Sequence, residues 1–292
     1  MKFRAHETFY IRKGWLSKGI KNVVRNPAVF LNKDENPMDV LGIGANMVKS
    51  LRFWLQAVGL TEETKSTRRQ QSLTDVGKLI YENDPYIEEM GSLWLLQFCL
   101  GNNKELATSW YFFFNCFNLS EFVKEDFIEA LHKYILLQGE TVSTRSLDDD
   151  FNCIINTYIP RYKINPKKVL PEDNMDCPFG ELGLLDYQNK KSKVYRKISP
   201  VADSIPPLIL LACILLNDEK RKEVPITDLQ NKKGLVGKAF NLNIITLMDI
   251  LSKAELQGYI KIIRTAGLDV IRINENLTAQ GCIEMYYQRL MN

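Results

Sequence analysis

Between Leu41 and Ile80 the chain reads LGIGANMVKSLRFWLQAVGLTEETKSTRRQQSLTDVGKLI, and its apolar spacing leaves few local folds open. Met47, Val48, Leu51, Leu55 and Val58 recur at the helical period and give one apolar face. Gly59 stands where a left-handed helix end is wanted, with Leu60 able to pack back on it. Thr61 to Gln71 is polar, with Lys65, Arg68 and Arg69 near its middle, which suits a hairpin wing. Thr74 and Asp75 then open a helix carrying Val76, Leu79 and Ile80. Helix, basic hairpin and helix follow one another as in a winged helix. The expected contacts to double-stranded DNA are Asn46, Lys49, Ser50 and Arg52 on the first helix and Lys65, Arg68 and Arg69 in the wing.

Charge placement supports that reading more than total charge does. The net charge of +3 is slight for 292 residues. Residues 1–86, however, hold 14 Lys and Arg against 9 Asp and Glu, so the remainder is slightly acidic. A basic first third on a near-neutral body predicts one face for a polyanion. Met1 to Arg25 alone carries seven cations and one acid, Glu7, interleaved with Phe3, Phe9, Ile11, Trp15, Leu16 and Ile20. That apolar content predicts an ordered segment: an extended arm through Phe9 to Ile11 and a helix over Trp15 to Val24. A short helix at Phe30 and Leu31 and a polar loop from Asn32 to Asp39 follow. Lys13 and Lys18 join the expected DNA contacts.

The densest group of chemically capable side chains is His6-Glu7-Thr8 with Arg12. A histidine titrates near neutral pH and can act as a general base, and a glutamate can hold a divalent cation through oxygen. An arginine can steady a phosphate's developing charge. His6, Glu7 and Arg12 are therefore the candidate catalytic residues, with Glu7 the candidate ligand for Mg or Mn. The structural alternative pairs Glu7 with a nearby arginine and makes His6 a helix cap.

From Tyr86 to Ile159 the pattern is helical. The run Trp110 to Phe117 reads as a core between packed helices, and His132 falls on a polar helix face. Asp148, Asp149 and Asp150 read as acids favoured by a helix dipole rather than as metal ligands. Strands are expected over Gly183 to Tyr187 and Ser192 to Ile198. The last ninety residues repeat the opening order, with a buried helix at Ile205 to Leu216, a helix over Asn243 to Leu256, a strand pair and a terminal helix from Thr278. This second winged-helix-like module has Lys253 as the sole cation of its recognition helix, which suits protein contact or self-association.

The expected architecture is thus mainly α with small β-hairpins. It divides into a basic winged-helix-like module over 1–86, a helical middle domain over 87–200 and a C-terminal winged-helix-like module over 201–292. Six scattered cysteines offer no zinc-ligand spacing. MKFRAHETF lacks the apolar stretch of a signal peptide, and PPLILLACILL is too short to span a bilayer, so a cytoplasmic protein without membrane contact is expected.

The motifs HETFYIRKGWLSKG, LGIGANMVKSLRFWL, TDVGKLIYENDPYIE, SLWLLQFCL and DCPFGELGLL, in that order, resemble a bacterial domain-of-unknown-function family, number 4007. Members of that family are encoded beside cysteine desulfurases, phosphoadenosine-phosphosulfate-reductase-like enzymes and ATPases of DNA phosphorothioation clusters that act against phage. The resemblance implies a DNA-nicking component that opens one strand for sulfur insertion with the help of a divalent metal. It also implies the sulfur-transfer and ATPase components as partners. A non-catalytic DNA-binding adaptor that recruits those enzymes is the other reading.

Overall fold

The computed structural model describes residues 1–32, 34–64, 69–160, 176–265 and 268–291. The N-terminal third builds α1 (Trp15–Arg25), α2 (Pro37–Leu41), α3 (Ala45–Ala57), the hairpin β1 (Thr61–Glu63) and β2 (Gln71–Leu73), and α4 (Asp75–Asn83). Local chemistry sets these boundaries. Asn36 caps α2 by accepting from Met38 N–H, with Pro37 fixing the first helical φ, and Thr74 caps α4 by accepting from Gly77 N–H. Gly42 closes α2 at φ 61°, a left-handed conformation that favours glycine. The Asn32 to Asp39 stretch is therefore partly helical, because Asn-Pro is a helix start as much as a loop signal. Phe30 and Leu31 instead lie in a turn, and Phe9 to Ile11 is irregular rather than a strand.

The middle third contains α5 (Met90–Asn102), α6 (Thr108–Asn115), β3 (Glu121–Phe122), α7 (Lys124–Leu137), α8 (Thr144–Tyr158), a 3₁₀ turn (Pro178–Leu182), β4 (Leu185–Asn189) and β5 (Val194–Lys197). Tyr195 and Arg196 of β5 also pair with Phe122 and Glu121, so the expected hairpin is a three-stranded antiparallel sheet. The aromatic run of α6 is core, as its density predicts. Phe113 contacts the rings of Phe114, Phe117, Phe122 and Phe127 at centroid separations of 5.1 to 6.1 Å.

In the last third come α9 (Pro207–Asn217), β6 (Glu223–Pro225), α10 (Ile226–Asn231), α11 (Val236–Ala239), α12 (Ile244–Leu256), β7 (Ile260–Thr265), β8 (Leu268–Ile273) and α13 (Ala279–Met291). Here too a third strand, β6, joins the expected pair in the order β6-β8-β7. α5 and α9 are apolar around their circumference and lie buried at the centre. One apolar cluster runs from Ile11 to Tyr287 through all three thirds. No single helix among the described residues is long and apolar enough to cross a membrane.

Polar groups inside this core tie distant segments together. Asp84 is buried and accepts from Glu88 N–H, Glu89 N–H and Ser92 Oγ, while Ser92 Oγ also meets Tyr287 Oη at 2.7 Å. Gln97 donates to Ala239 O at 2.9 Å and accepts from Tyr158 Oη at 2.6 Å. Each group has its partners, the condition under which burial of polar atoms costs little.

Candidate nucleic-acid interface

The segment before α1 is a compact, left-handed turn. Arg4, Glu7 and Thr8 have φ of 55°, 49° and 68°, which costs on the order of 1–3 kcal/mol per residue and persists only where the surroundings impose it. Asp150 of α8 supplies that imposition. Its Oδ1 accepts from Arg4 N–H at 2.7 Å and faces His6 Nε2 at 2.8 Å, while Oδ2 accepts from Ser109 Oγ at 2.5 Å. Thr8 N–H donates to His6 Nδ1 at 3.1 Å, which places the imidazole proton on Nε2, toward Asp150. The ring is only 1% exposed, stacked against Trp54 and edge-on to Trp110.

This geometry weighs against the expected general-base role of His6. Both nitrogens are engaged and the ring is shut off from solvent, an environment that suits a residue holding the turn in place. It is no helix cap either. For the aspartate triplet only the helix-dipole reason is corrected. α8 begins at Thr144, which puts the acids beyond the first turn, and each has its own partner: the Lys124 ammonium for Asp148, the Arg4 guanidinium for Asp149 and the His6 imidazole for Asp150. Sequence distance hid these partners, which lie 24 to 145 residues away.

Arg12, Lys13 and Gly14 form a ridge between two cavities. One, of about 90 Å³, is bordered by this ridge, Ser17, Tyr86, Glu88 and Glu181. Across the ridge a wider cavity of about 520 Å³ is bordered by Lys18, Gly42, Gly44 and Met47. Gly14, at φ 81°, turns the chain into α1 there. The Arg12 guanidinium lies 5.3 Å from the Trp15 ring centre and 5.9 Å from that of Phe9, with no carboxylate partner among the described residues. Lys13 and Lys18 are exposed, although Lys18 Nζ donates to Leu41 O. Glu7 is half-buried and joins no ion pair among the described residues.

The outer face of α3 continues this basic strip. Gly44 gives α3 no side-chain cap, and Gly44 and Met47 at that helix start border the wider cavity. Asn46 and Lys49 are exposed. Lys49 and Arg69 border a third cavity, of about 190 Å³, with Lys2, Arg52 and Gln56.

Two of the expected contacts are turned to internal partners. Ser50 is fully buried, its hydroxyl 3.4 Å from Phe9 O, because the helix turns that position toward the N-terminal segment. Arg52 forms a two-pronged pair with Glu63 at 2.8 and 2.7 Å and so fastens the hairpin to α3. Lys65 and Arg68 lie outside the described residues. Lys2 escaped sequence reasoning because nothing in a lone N-terminal lysine signals that it folds beside Arg69.

Metal chemistry has a narrower basis. No three His, Cys, Asp or Glu side chains converge among the described residues. Magnesium needs less, since it keeps several waters and takes one or two carboxylates. Glu88 and Glu181, facing one cavity beside Arg12, meet that lower requirement, and Glu7 lies on the anchored turn. The buried cysteines are poor candidates for sulfur chemistry, because burial pushes the thiols of Cys153, Cys177 and Cys213 well up and that of Cys282 to about 11.

Among solved structures, the crystal structure of SspB and that of SspB with a bound magnesium ion both match, each with a TM-score of 0.85 and 28% sequence identity. The match covers 100% of this chain and 89% of theirs. No curated protein matches. A family model described as a protein of unknown function, DUF4007, covers residues 3–287, and the chain belongs to that family.

Proposed function

We propose that this protein is the DNA-binding component of a phosphorothioation defence system and that it nicks one strand to admit sulfur. The observation that carries this reading is the strip of cations from half-buried Arg12 through exposed Lys13 and Lys18 along α3 to exposed Lys49, Arg69 and Lys2. Such a strip neutralises successive phosphates of a duplex, and the uncapped α3 N-terminus offers them N–H donors. The likeness to SspB supports the system, and the magnesium in one SspB structure supports a metal-assisted step.

In this reading the first third is a winged-helix module, with α3 as recognition helix and β1–β2 as the base of the wing. The middle helices form its platform. The last third is a second winged helix, whose α12 exposes Ile244 and Ile245 and serves protein contact with the sulfur-transfer and ATPase components. Arg12 steadies a scissile phosphate at the ridge. Glu88, Glu181 and Glu7 are the carboxylates available to a hydrated magnesium ion, which supplies Lewis-acid activation of the phosphodiester when bound. His6 holds the turn that carries Glu7 and moves no proton.

The absence of a convergent metal-binding group among the described residues favours a second reading, an adaptor that binds DNA without cutting it. Incubation of supercoiled plasmid with the protein and magnesium separates the two. Open-circle product lost in Arg12→Gln and in Glu88→Gln/Glu181→Gln supports nicking at the ridge. Retarded but uncut plasmid supports the adaptor.

A further inference from the structure

A fourth cavity lies far along the sequence from the DNA-facing strip, between the end of β5 and the α10–α11 segment. It has a volume of about 310 Å³, and its border includes Lys197, Lys238, Asn118, Asn231, Asn241 and Ser199. No Asp or Glu borders it. A surface of mixed charge usually sets acids beside lysines, so two cations facing one recess without an acid is a combination that an anion would complete.

Lys197 is the deeper of the two. Its ammonium donates to Phe113 O at 2.6 Å and Phe117 O at 2.5 Å and lies 4.5 Å from the Phe113 ring centre. These contacts use two of its three protons and neutralise no charge. No carboxylate among the described residues pairs with it. Lys238, on α11, donates to Asn118 Oδ1 at 3.0 Å and repels Lys197 electrostatically. Capping the carbonyls at the end of α6 would need one amine; it does not explain the second lysine or the polar recess between them.

We propose that this cavity binds a phosphate-type dianion, held by Lys197 and Lys238. The recess is of the size that takes a small ligand. A dianion offsets both ammonium charges at once and accepts from the amides and hydroxyl at the rim. Free phosphate, a mononucleotide and the phosphorylated end of a strand share this chemistry. The site does not depend on the DNA-facing strip or on cleavage.

The test is thermal unfolding of the full chain with sulfate, which stays a dianion across neutral pH, against sodium chloride at matched ionic strength. Sulfate is expected to raise the melting temperature saturably by several degrees. Lys197→Met, which removes the charge and keeps the length, abolishes that rise, and Lys238→Gln weakens the half-saturating concentration several-fold. If Lys197→Met does not fold, Lys238→Gln alone carries the test. No saturable rise with sulfate, phosphate or adenosine 5′-monophosphate, or a rise unchanged in the variants, overturns the proposal. Stronger stabilisation by adenosine 5′-monophosphate than by phosphate identifies a free nucleotide. Tighter binding of a 5′-phosphorylated oligonucleotide than of its 5′-hydroxyl counterpart, with the difference lost in Lys238→Gln, identifies a strand end.

Discussion

His6 and Asp150, 144 residues apart in the chain, meet at 2.8 Å in the interior and fix the turn that precedes α1. The same carboxylate accepts from Arg4 N–H and Ser109 Oγ, so it binds the N-terminal segment to α6 and α8 together. Removing the carboxylate leaves three buried donors without an acceptor, at about 1–3 kcal/mol each where water cannot replace it, or roughly 3–5 kcal/mol together after relaxation. Asp150→Ala is therefore expected to lower stability by about that much. His6→Gln, whose amide can still donate to Asp150, should lose less, on the order of 1–2 kcal/mol. Urea unfolding measures both. If the protein nicks DNA as proposed, a rate that survives in His6→Gln at full folding would agree with a positioning role, and its loss without loss of stability would restore His6 to the chemistry.

Binding to DNA should separate the exposed cations from the paired one. On the proposed DNA-binding reading, Lys49→Ala and Arg69→Ala should each remove one phosphate contact, so that affinity falls at every sequence and the slope of log K against log salt shrinks by about 1 per residue. Arg52→Ala breaks the two-pronged bond to Glu63 and loosens the hairpin instead. Its effect should be seen in melting temperature before it is seen in the salt slope. Titrations at three salt concentrations distinguish the two outcomes.

The contrast between these residues shows which parts of the molecule were legible in the sequence. Spacing of apolar residues placed α3, α4, α7 and α12, because a helix face is a local property, and Thr74 and Gly59 marked their ends by backbone chemistry. Exposure of Lys49 followed from the same period. Ser50 and Arg52 did not, since what they face depends on Phe9 and Glu63, brought there by tertiary packing. β3 and β6 are two and three residues long and carry no period of their own, so only their partners define them. His6, Asp150 and the two lysines of the anion cavity were invisible as groups for the same reason.

Asp84 should couple the first third to the last. Its Oδ2 accepts from Ser92 Oγ at 2.6 Å, and Ser92 in turn meets Tyr287 of α13 at 2.7 Å. Tyr287→Phe removes one neutral hydrogen bond and is expected to cost about 1 kcal/mol, whereas Asp84→Ala leaves two backbone N–H groups and Ser92 without an acceptor and should cost about 2–4 kcal/mol. In a double-mutant cycle the two changes should fall short of additivity by at least about 0.5 kcal/mol. Strict additivity would mean that the serine transmits nothing.

Lys197 predicts an unusual rise of stability with pH. Burial, with Lys238 of α11 adding repulsion and Cys116 at the end of α6 opposing it, holds the amine at about 7 in the folded protein, against 10.5 ordinarily. Below pH 7 both states carry the proton and the cost of burying the charge is constant. Above it the folded protein sheds that proton while the unfolded chain keeps it. The unfolded state then binds more protons, so stability increases with pH. Because the side chain is partly exposed, a gain of about 1 kcal/mol between pH 7 and 8.5 is expected, less than the full slope of roughly 1.4 kcal/mol per unit. Beyond pH 9 the buried thiols of Cys153 and Cys213 reverse the trend, since burial raises them and the unfolded chain ionises first. Chemical unfolding across pH 6.5 to 8.5 should therefore give a rising curve for the wild type. A curve of the same slope in Lys197→Met would place the titrating group elsewhere.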